Sequence, residues 1–264
     1  RNLGYTVDVI EVPWGEAASP ELIEEALAKD TAHEIQGVLL VHNETATGVT
    51  SDVASVRRAL DRAGHPALLY VDGVSSIASL DFHFDAWGVE SAITGSQKGV
   101  MLPAGLGILY MSEKALARVD DCPTPRSYFD VRAMRSNNAQ GFFPSTPALS
   151  LLYGLDEALT MLLDEGMDAV AARHRRLATG VRAAVRAWGL TTCARRSEIA
   201  SDTLTAVVVP DGHDARAVID RAFTGYDLAL GSGLGELAGR VFRIGHLGDM
   251  NALTLAGALA GVEM

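Results

Sequence analysis

Five short apolar runs mark the first 111 residues: Tyr5–Val12, Gln36–Val41, Ala67–Asp72, Glu90–Thr94 and Gly107–Met111. Helix-like stretches alternate with them. Ser19, Pro20 and Glu21 open one to about Lys29, with serine as N-cap and proline at the first helical position. Ser51 and Asp52 cap another to about Ala63. Strands alternating with helices imply right-handed crossovers onto a mostly parallel sheet, an α/β fold with helices on both faces. Burial on both faces explains why the strands are apolar runs rather than alternating patterns.

The texture changes after Met111. A short helix is predicted from Ser112 to about Val119, a loop over Cys122–Pro125 and a helix over Tyr128–Arg135. Asn137–Gly141 breaks the pattern, and Thr146-Pro147 starts a long apolar helix to about Leu163. A second long helix follows over 169–188. Strands at Leu204–Val209 and Arg240–Ile244 and helices at Asp214–Ala222 and Asn251–Ala260 complete a smaller α/β unit. The expected division is a large domain over 1–163 and a small domain over 164–264.

Net charge narrows the partners. The chain carries 22 Lys and Arg against 33 Asp and Glu, a formal charge of −11 with no basic block. That argues against a nucleic-acid backbone as partner. No run of eighteen apolar residues exists, so no membrane span is expected, and no signal peptide is visible. Cys122 and Cys193 lie far apart without metal-type spacing. They read as reduced thiols of a cytoplasmic protein, although two cysteines could also pair.

Two charged residues stand where parallel strands end. Leu68–Val71 runs into Asp72, and Ala92–Ile93 runs through Thr94, Gly95, Ser96 and Gln97 to Lys98 and Gly99. Open α/β sheets bind ligands at the carboxyl ends of their strands. An amine and a carboxylate delivered there suit pyridoxal 5'-phosphate (PLP). The lysine would form a Schiff base with the aldehyde, and the aspartate would hold the pyridinium proton that makes the ring an electron sink. The competing readings are a buried Lys–Asp ion pair and, for Asp72, a turn-forming pair with Gly73.

With these residues in view, the chain resembles the class V aminotransferases of PLP fold type I, nearest to their serine–glyoxylate and alanine–glyoxylate branches. The resemblance is carried by His42-Asn43-Glu44-Thr45-Ala46-Thr47-Gly48, Val71-Asp72-Gly73-Val74-Ser75-Ser76, Gly95-Ser96-Gln97-Lys98, Ser145-Thr146-Pro147 and Arg243-Ile244-Gly245-His246, in that order. It covers essentially the whole chain. It implies Lys98 as Schiff-base lysine and general base, Asp72 at the pyridine nitrogen, Val74 against a ring face and Thr45 at the phenolic oxygen. Ser96 and especially Gln97 are implied at the phosphate, with Thr146 reaching in from the second subunit of a homodimer. Thr146 can also be read as a helix N-cap, and Thr45 as local turn chemistry. Relatives often carry tyrosine where this chain has Phe143, which removes one expected phosphate contact.

Arg243 is implied to grip the substrate α-carboxylate, for which a planar fork of donors is suited; a domain-interface salt bridge is the other reading. Asn43 and Glu44 are weaker substrate-side candidates, and His42 beside them reads as structural. Gly231–Gly235 superficially suggests a dinucleotide loop but lacks the βαβ context, so a flexible loop near the substrate is expected. No metal site is expected. The chain opens without methionine, in what reads as the course of a helix, and the expectation is an N-terminally truncated chain whose glycine/serine-rich phosphate loop lies upstream. A mature processed enzyme is the other reading.

The resemblance implies PLP-dependent transamination from serine or alanine to a small 2-oxo acid, glyoxylate above all. The alternatives are a cysteine desulfurase or related PLP lyase, and a catalytically silent truncated paralogue.

Overall fold

The computed structural model describes residues 3–124 and 126–264. Pro125, part of the expected Cys122–Pro125 loop, and the first two residues lie outside the described residues. The element order is α1 (Pro20–Lys29), β1 (Gly37–Val41), β2 (Asn43–Glu44), β3 (Val49–Thr50), α2 (Val53–Arg62), β4 (Leu68–Asp72), β5 (Ser91–Gly95), β6 (Gly107–Met111), α3 (Glu113–Asp120) and α4 (Val131–Asn138). The long helices α5 (Leu149–Glu165) and α6 (Met167–Ala187) follow. Then come β7 (Thr191–Thr192), β8 (Leu204–Val208), α7 (Ala215–Tyr226), β9 (Gly231–Ser232), β10 (Val241–Gly245) and α8 (Ala252–Glu263).

The first sheet has strand order β1-β4-β5-β6. β1, β4 and β5 are parallel, and β6 returns antiparallel on β5. The fold is α/β with a mostly parallel sheet. The second sheet, β7-β8-β10-β9, is antiparallel throughout. β2 and β3 form a small separate hairpin.

Local sequence explains most of the boundaries. Ser19 accepts from the Leu22 amide and Asp52 from the Ser55 amide, as the N-cap pattern requires. Asn251 closes a capping box with Thr254 at the start of α8. Asp130 caps α4 by accepting from the Arg132 amide, so this helix starts and ends about three residues later than expected and takes in Asn137 and Asn138. The expected cap at Thr146 does not form. α5 begins at Leu149 after Ala148, without a side-chain cap, and Thr146 is exposed in the preceding turn.

One further expectation changes. Residues 5–12 form no strand, and Tyr5, Val7, Val9 and Ile10 are exposed. An apolar alternation needs a neighbouring strand to hold its backbone groups, and the only ladder partner of β1 among the described residues is β4. Among the described residues, α1 and α2 cover one face of the first sheet. Leu40, Leu69, Val71 and Ala92 pack with Ile23 and Leu27 of α1 and Val53, Val56 and Leu60 of α2. On the opposite face Leu39, Val41, Tyr70, Ile93 and Leu109 are exposed. The crossover helices before β1 and β4 supply one layer only.

The second core gathers Leu177, Val181 and Val185 of α6 with Val207, Phe242 and Ile244 of the second sheet and Leu255 of α8. Val170, one turn into α6, packs instead with Ala78, Val100, Ala158 and Leu162. The expected dividing line at 163/164 falls inside the last turn of α5.

Candidate active site

The register of the parallel strands places the candidate residues. Val41 pairs with Asp72, and Asp72 with Ile93, across three adjacent strands. The segments that follow, 42–48, 73–76 and 96–102, therefore leave from one edge, the carboxyl edge of the sheet. Lys98, Asp72 and Thr45 share that edge.

Lys98 sits three residues beyond β5, half-buried, in a loop braced by its own polar groups. The Ser96 amide donates to the Leu106 carbonyl, its hydroxyl donates to the Pro103 carbonyl at 2.7 Å and accepts from the Leu106 amide at 3.1 Å. Both donors of Ser96 are thus committed to the loop, and Gln97, which is exposed, is the member of the pair that faces outward. Gly99 allows the close approach of the next loop: a Cβ there would lie 2.4 Å from the Ile77 carbonyl oxygen. Met101 closes the turn by donating to the Lys98 carbonyl, with its φ at 65° in the left-handed region unusual for a bulky side chain.

Among the described residues, no ion pair joins Lys98 to Asp72 or to any other carboxylate. The Asp72 carboxylate is oriented by the Val74 amide, which donates to Oδ1 at 2.9 Å; its second oxygen has no partner among the described residues. Val74 is half-buried directly beside it. An unpaired amine and a half-engaged carboxylate at one sheet edge fit an aldehyde-bearing pyridine better than they fit a structural ion pair.

Arg243 comes from the second sheet. Its Nε donates to the Ser232 carbonyl at 2.8 Å and its Nη1 to the Thr45 carbonyl at 2.9 Å. The second bond brings the guanidinium to the loop that holds Thr45. Burial pushes the Arg243 pKa down, opposed by the charge of Glu44. This partial desolvation strengthens any charge it meets. Glu44 is exposed and accepts from the Ala46 amide at 2.7 Å. The 231–235 stretch is not the flexible loop expected: Gly231 and Ser232 form β9 and pair with Arg243 and Phe242.

Several flanking residues are engaged in packing and hydrogen bonds. His42 is 3% exposed, its ring lies against Phe82 and Trp87, and burial lowers its pKa to about 4. His246 is buried with its ring bonded to Thr205 and the Asp202 carbonyl, and burial lowers its pKa to about 3. Asn43 is buried and bonded to Ser75, Thr203 and Thr50. Thr203, Ser75 and the Ser232 carbonyl are parts of the site that sequence reasoning missed. Ser75 lay within the Asp72 motif, while the other two carry no local signal. A cavity of about 840 Å³ lies elsewhere, lined among others by His42, Asp52, Trp87, Arg175 and Asp202; Lys98, Asp72 and Arg243 do not line it. No group of three or more His, Cys, Asp or Glu side chains among the described residues could hold a metal ion.

Comparison with known proteins bears on family and overall fold. Residues 1–233 match the family described as Aminotransferase class-V. The chain is 55% identical to the serine–glyoxylate aminotransferase of Methylorubrum extorquens, over all of this chain and 67% of that protein. It is 53% identical to the L-aspartate–glyoxylate aminotransferase of Paracoccus denitrificans, over 99% of this chain and 66% of that protein. The crystal structure of pyridoxamine–pyruvate aminotransferase from Mesorhizobium loti superposes with a TM-score of 0.89 at 34% identity, covering 96% of this chain and 65% of that one. The chain thus spans about two thirds of the length of these relatives.

Proposed function

The chain belongs to the class V aminotransferases, and from that membership we propose that it serves a PLP-dependent transfer of the amino group of serine or alanine to glyoxylate, as a homodimer in the cytoplasm. The observation that carries this reading is the shared strand edge, from which the unpaired Lys98 amine and the half-engaged Asp72 carboxylate both emerge. Two curated relatives have glyoxylate in their names and differ in the donor. The names therefore support the acceptor and leave the donor to test.

When bound, PLP supplies an electron sink for the negative charge that develops at the substrate Cα. Lys98 would hold the cofactor through Nζ and, once displaced by the substrate amine, carry the Cα proton as general base. Asp72 would keep the pyridine nitrogen protonated through a charge-assisted hydrogen bond. Val74 would pack on the ring, and the Thr45 hydroxyl would reach the phenolic oxygen. Gln97, and Thr146 from the second subunit, would donate to the phosphate, and Ser96 would shape the loop that presents Gln97 and Lys98. Arg243 would fix the substrate carboxylate and so the orientation of the Cα–H bond. Glu44, beside Arg243 in charge, stands at the substrate side; the buried Asn43 has no such access.

The homodimer is supported by exposed apolar side chains at Tyr128, Phe129, Phe142, Phe143, Leu149 and Tyr153, around Thr146. Both cysteines are free thiols, as a reducing compartment would keep them. No helix among the described residues is long and apolar enough to cross a membrane. The division into a cofactor unit over 1–163 and a smaller unit over 164–264 belongs to the same reading and is supported by the two separate sheets.

The test is a screen of single amino acids against the PLP-loaded full-length enzyme, followed by addition of glyoxylate. Loss of the PLP absorbance with serine or alanine and its return with glyoxylate is expected. Sulfide release from cysteine would identify a desulfurase instead, and no spectral change with any amino acid would leave a silent paralogue.

A further inference from the structure

Asn43 reads from sequence as a group for the substrate, yet its side chain is 3% exposed and its amide is fully engaged. Nδ2 donates to the Ser75 hydroxyl at 2.9 Å, to Thr203 Oγ1 at 3.1 Å and, more distantly, to the Ser75 carbonyl at 3.3 Å. Oδ1 accepts from the Thr50 hydroxyl at 3.1 Å. Ser75 returns a bond, its hydroxyl donating to the Asn43 carbonyl at 2.7 Å.

These partners come from three separate places. Thr50 pairs with Asn43 across the β2–β3 hairpin, whose turn carries Thr45. Ser75 directly follows the Asp72–Val74 turn. Thr203 leads into β8, whose neighbour β10 holds Arg243 opposite Ala206. One amide thus joins the loop expected at the cofactor oxygen, the turn expected at the pyridine nitrogen and the sheet that carries the arginine.

Only an amide satisfies this set. It needs two donors and one acceptor on a short side chain; a hydroxyl has one donor, and an ionised carboxylate has none and would face the Ser75 carbonyl. The hairpin is fixed to the second sheet at its far end by backbone contacts. The Ser201 amide donates to the Gly48 carbonyl at 2.8 Å, and Gly48, at φ 68°, lies so close that a Cβ would sit 3.3 Å from the Ala206 amide nitrogen. At its near end, the Asn43–Thr203 bond is a tie between side chains.

We propose that Asn43 is a positioning residue that sets the spacing between Arg243 and the cofactor pocket through its bonds to Thr203 and Ser75. The proposal rests on the functional reading above for the roles of Arg243, Asp72 and Thr45. It assigns Asn43 no contact with substrate.

The test uses the full-length, PLP-loaded enzyme. Thr203→Val keeps the shape and removes the tie, Thr203→Ser keeps the hydroxyl, and Asn43→Asp keeps the shape but removes the donors. Thr203→Val loses the bond of its hydroxyl to Asn43 and a second one to the Ser201 hydroxyl; the Asn43 bond is the one that reaches the site, and its loss should raise KM for the amino donor by roughly fivefold to tenfold and leave PLP affinity within about twofold. Amide exchange at Ser201 and His246, which donate to the Gly48 and Thr203 carbonyls, should quicken by a similar factor. Thr203→Ser should restore both. Asn43→Asp should weaken donor and PLP binding together, because the tie to Ser75 is lost as well. In Thr203→Val, an unchanged KM with unchanged exchange, or equal weakening of donor and PLP, would overturn the proposal, as would failure of Thr203→Ser to restore. The Thr203 pair decides the matter even where Asn43→Asp does not fold. If the unsubstituted enzyme reacts with no amino acid, the functional reading falls, while amide exchange still judges the tie.

Discussion

Arg243 donates from Nη1 to the carbonyl of Thr45 at 2.9 Å, a bond between the second sheet and a loop at the edge of the first. The guanidinium is thereby held by backbone oxygens, here and at Ser232, rather than by a carboxylate. Its positive charge is left uncompensated by any ion pair among the described residues. A group arranged this way is ready for an external anion, and a domain-interface salt bridge does not describe it.

Replacing Arg243 with alanine should therefore act on substrate and little on cofactor. Loss of a charge-assisted bidentate contact implies on the order of 2–4 kcal/mol in donor binding. Arg243→Lys should not restore it, since an ammonium cannot bridge two carbonyls and a carboxylate in one plane. Half-reaction titrations of both variants measure this, and wild-type donor affinity in Arg243→Ala would place the carboxylate elsewhere.

Lys98→Ala in the full-length enzyme should lose the borohydride-trappable adduct with PLP and all measurable turnover of serine with glyoxylate. Mass spectrometry of the trapped peptide checks the assignment. A label on another lysine would remove Lys98 from the site.

Asp72→Ala should keep some cofactor, since Lys98 and the phosphate donors remain. Turnover should fall by at least roughly tenfold to a hundredfold, the scale of one charged hydrogen bond at about 1.5–3 kcal/mol. Single-turnover kinetics at saturating PLP separate this loss from weaker cofactor binding. Unchanged turnover would take Asp72 out of the mechanism.

Stability should fall as the medium is acidified below neutrality, well before carboxylates titrate. Burial lowers His42 to about 4 and His246 to about 3, against about 6.5 in an unfolded chain. Above that value both states are neutral and neither residue contributes a slope. Below it the unfolded chain binds protons that the native state refuses, so stability is lost from about pH 6.5 down to the native values. Urea unfolding between pH 7.5 and 5 measures the slope. His42→Phe keeps a ring against Phe82 and Trp87 and should reduce the slope, leaving the share of His246; an identical slope in that variant would assign the effect to other groups.

Charge at the exposed aromatic stretch should split the proposed dimer. Tyr153→Glu, at a position 76% exposed, should leave the fold intact and halve the mass seen by sedimentation. PLP affinity should fall with it, because Thr146 would no longer reach the partner's site. A dimer that survives would place the interface on another face.

The parallel strands and the residues at their ends were legible in the sequence because one strand with its turn is a local pattern. Asp72 after Leu68–Val71, and Lys98 after Ala92–Thr94, needed only that pattern and the rule that strands of a parallel sheet end on one side. What lay hidden depends on neighbours remote in sequence. Residues 5–12 have the alternation of a strand without its ladder. Ser96 looks like a phosphate donor until Pro103 and Leu106 take up its hydroxyl. Asn43 sits in a motif that reads as substrate-facing, but Thr203, 160 residues away, determines where its amide goes.

α6 is a single 21-residue helix, about 31 Å long at the usual rise per residue. Its first turns are embedded in the core beneath the Lys98 loop through Val170, and its last turns in the core of the second sheet through Val181 and Val185. Midway, His174 accepts from the Gly248 amide and Arg173 donates to the Gly248 and Met250 carbonyls, gripping the chain just past Arg243. The helix works as a joist let into both walls. Any closing of one sheet onto the other must bend the short connections at its ends, such as Gly166, since shear along the joist would tear out two cores at once. Severing the chain between 163 and 164 would hand the joist to one half and leave the other without its beam.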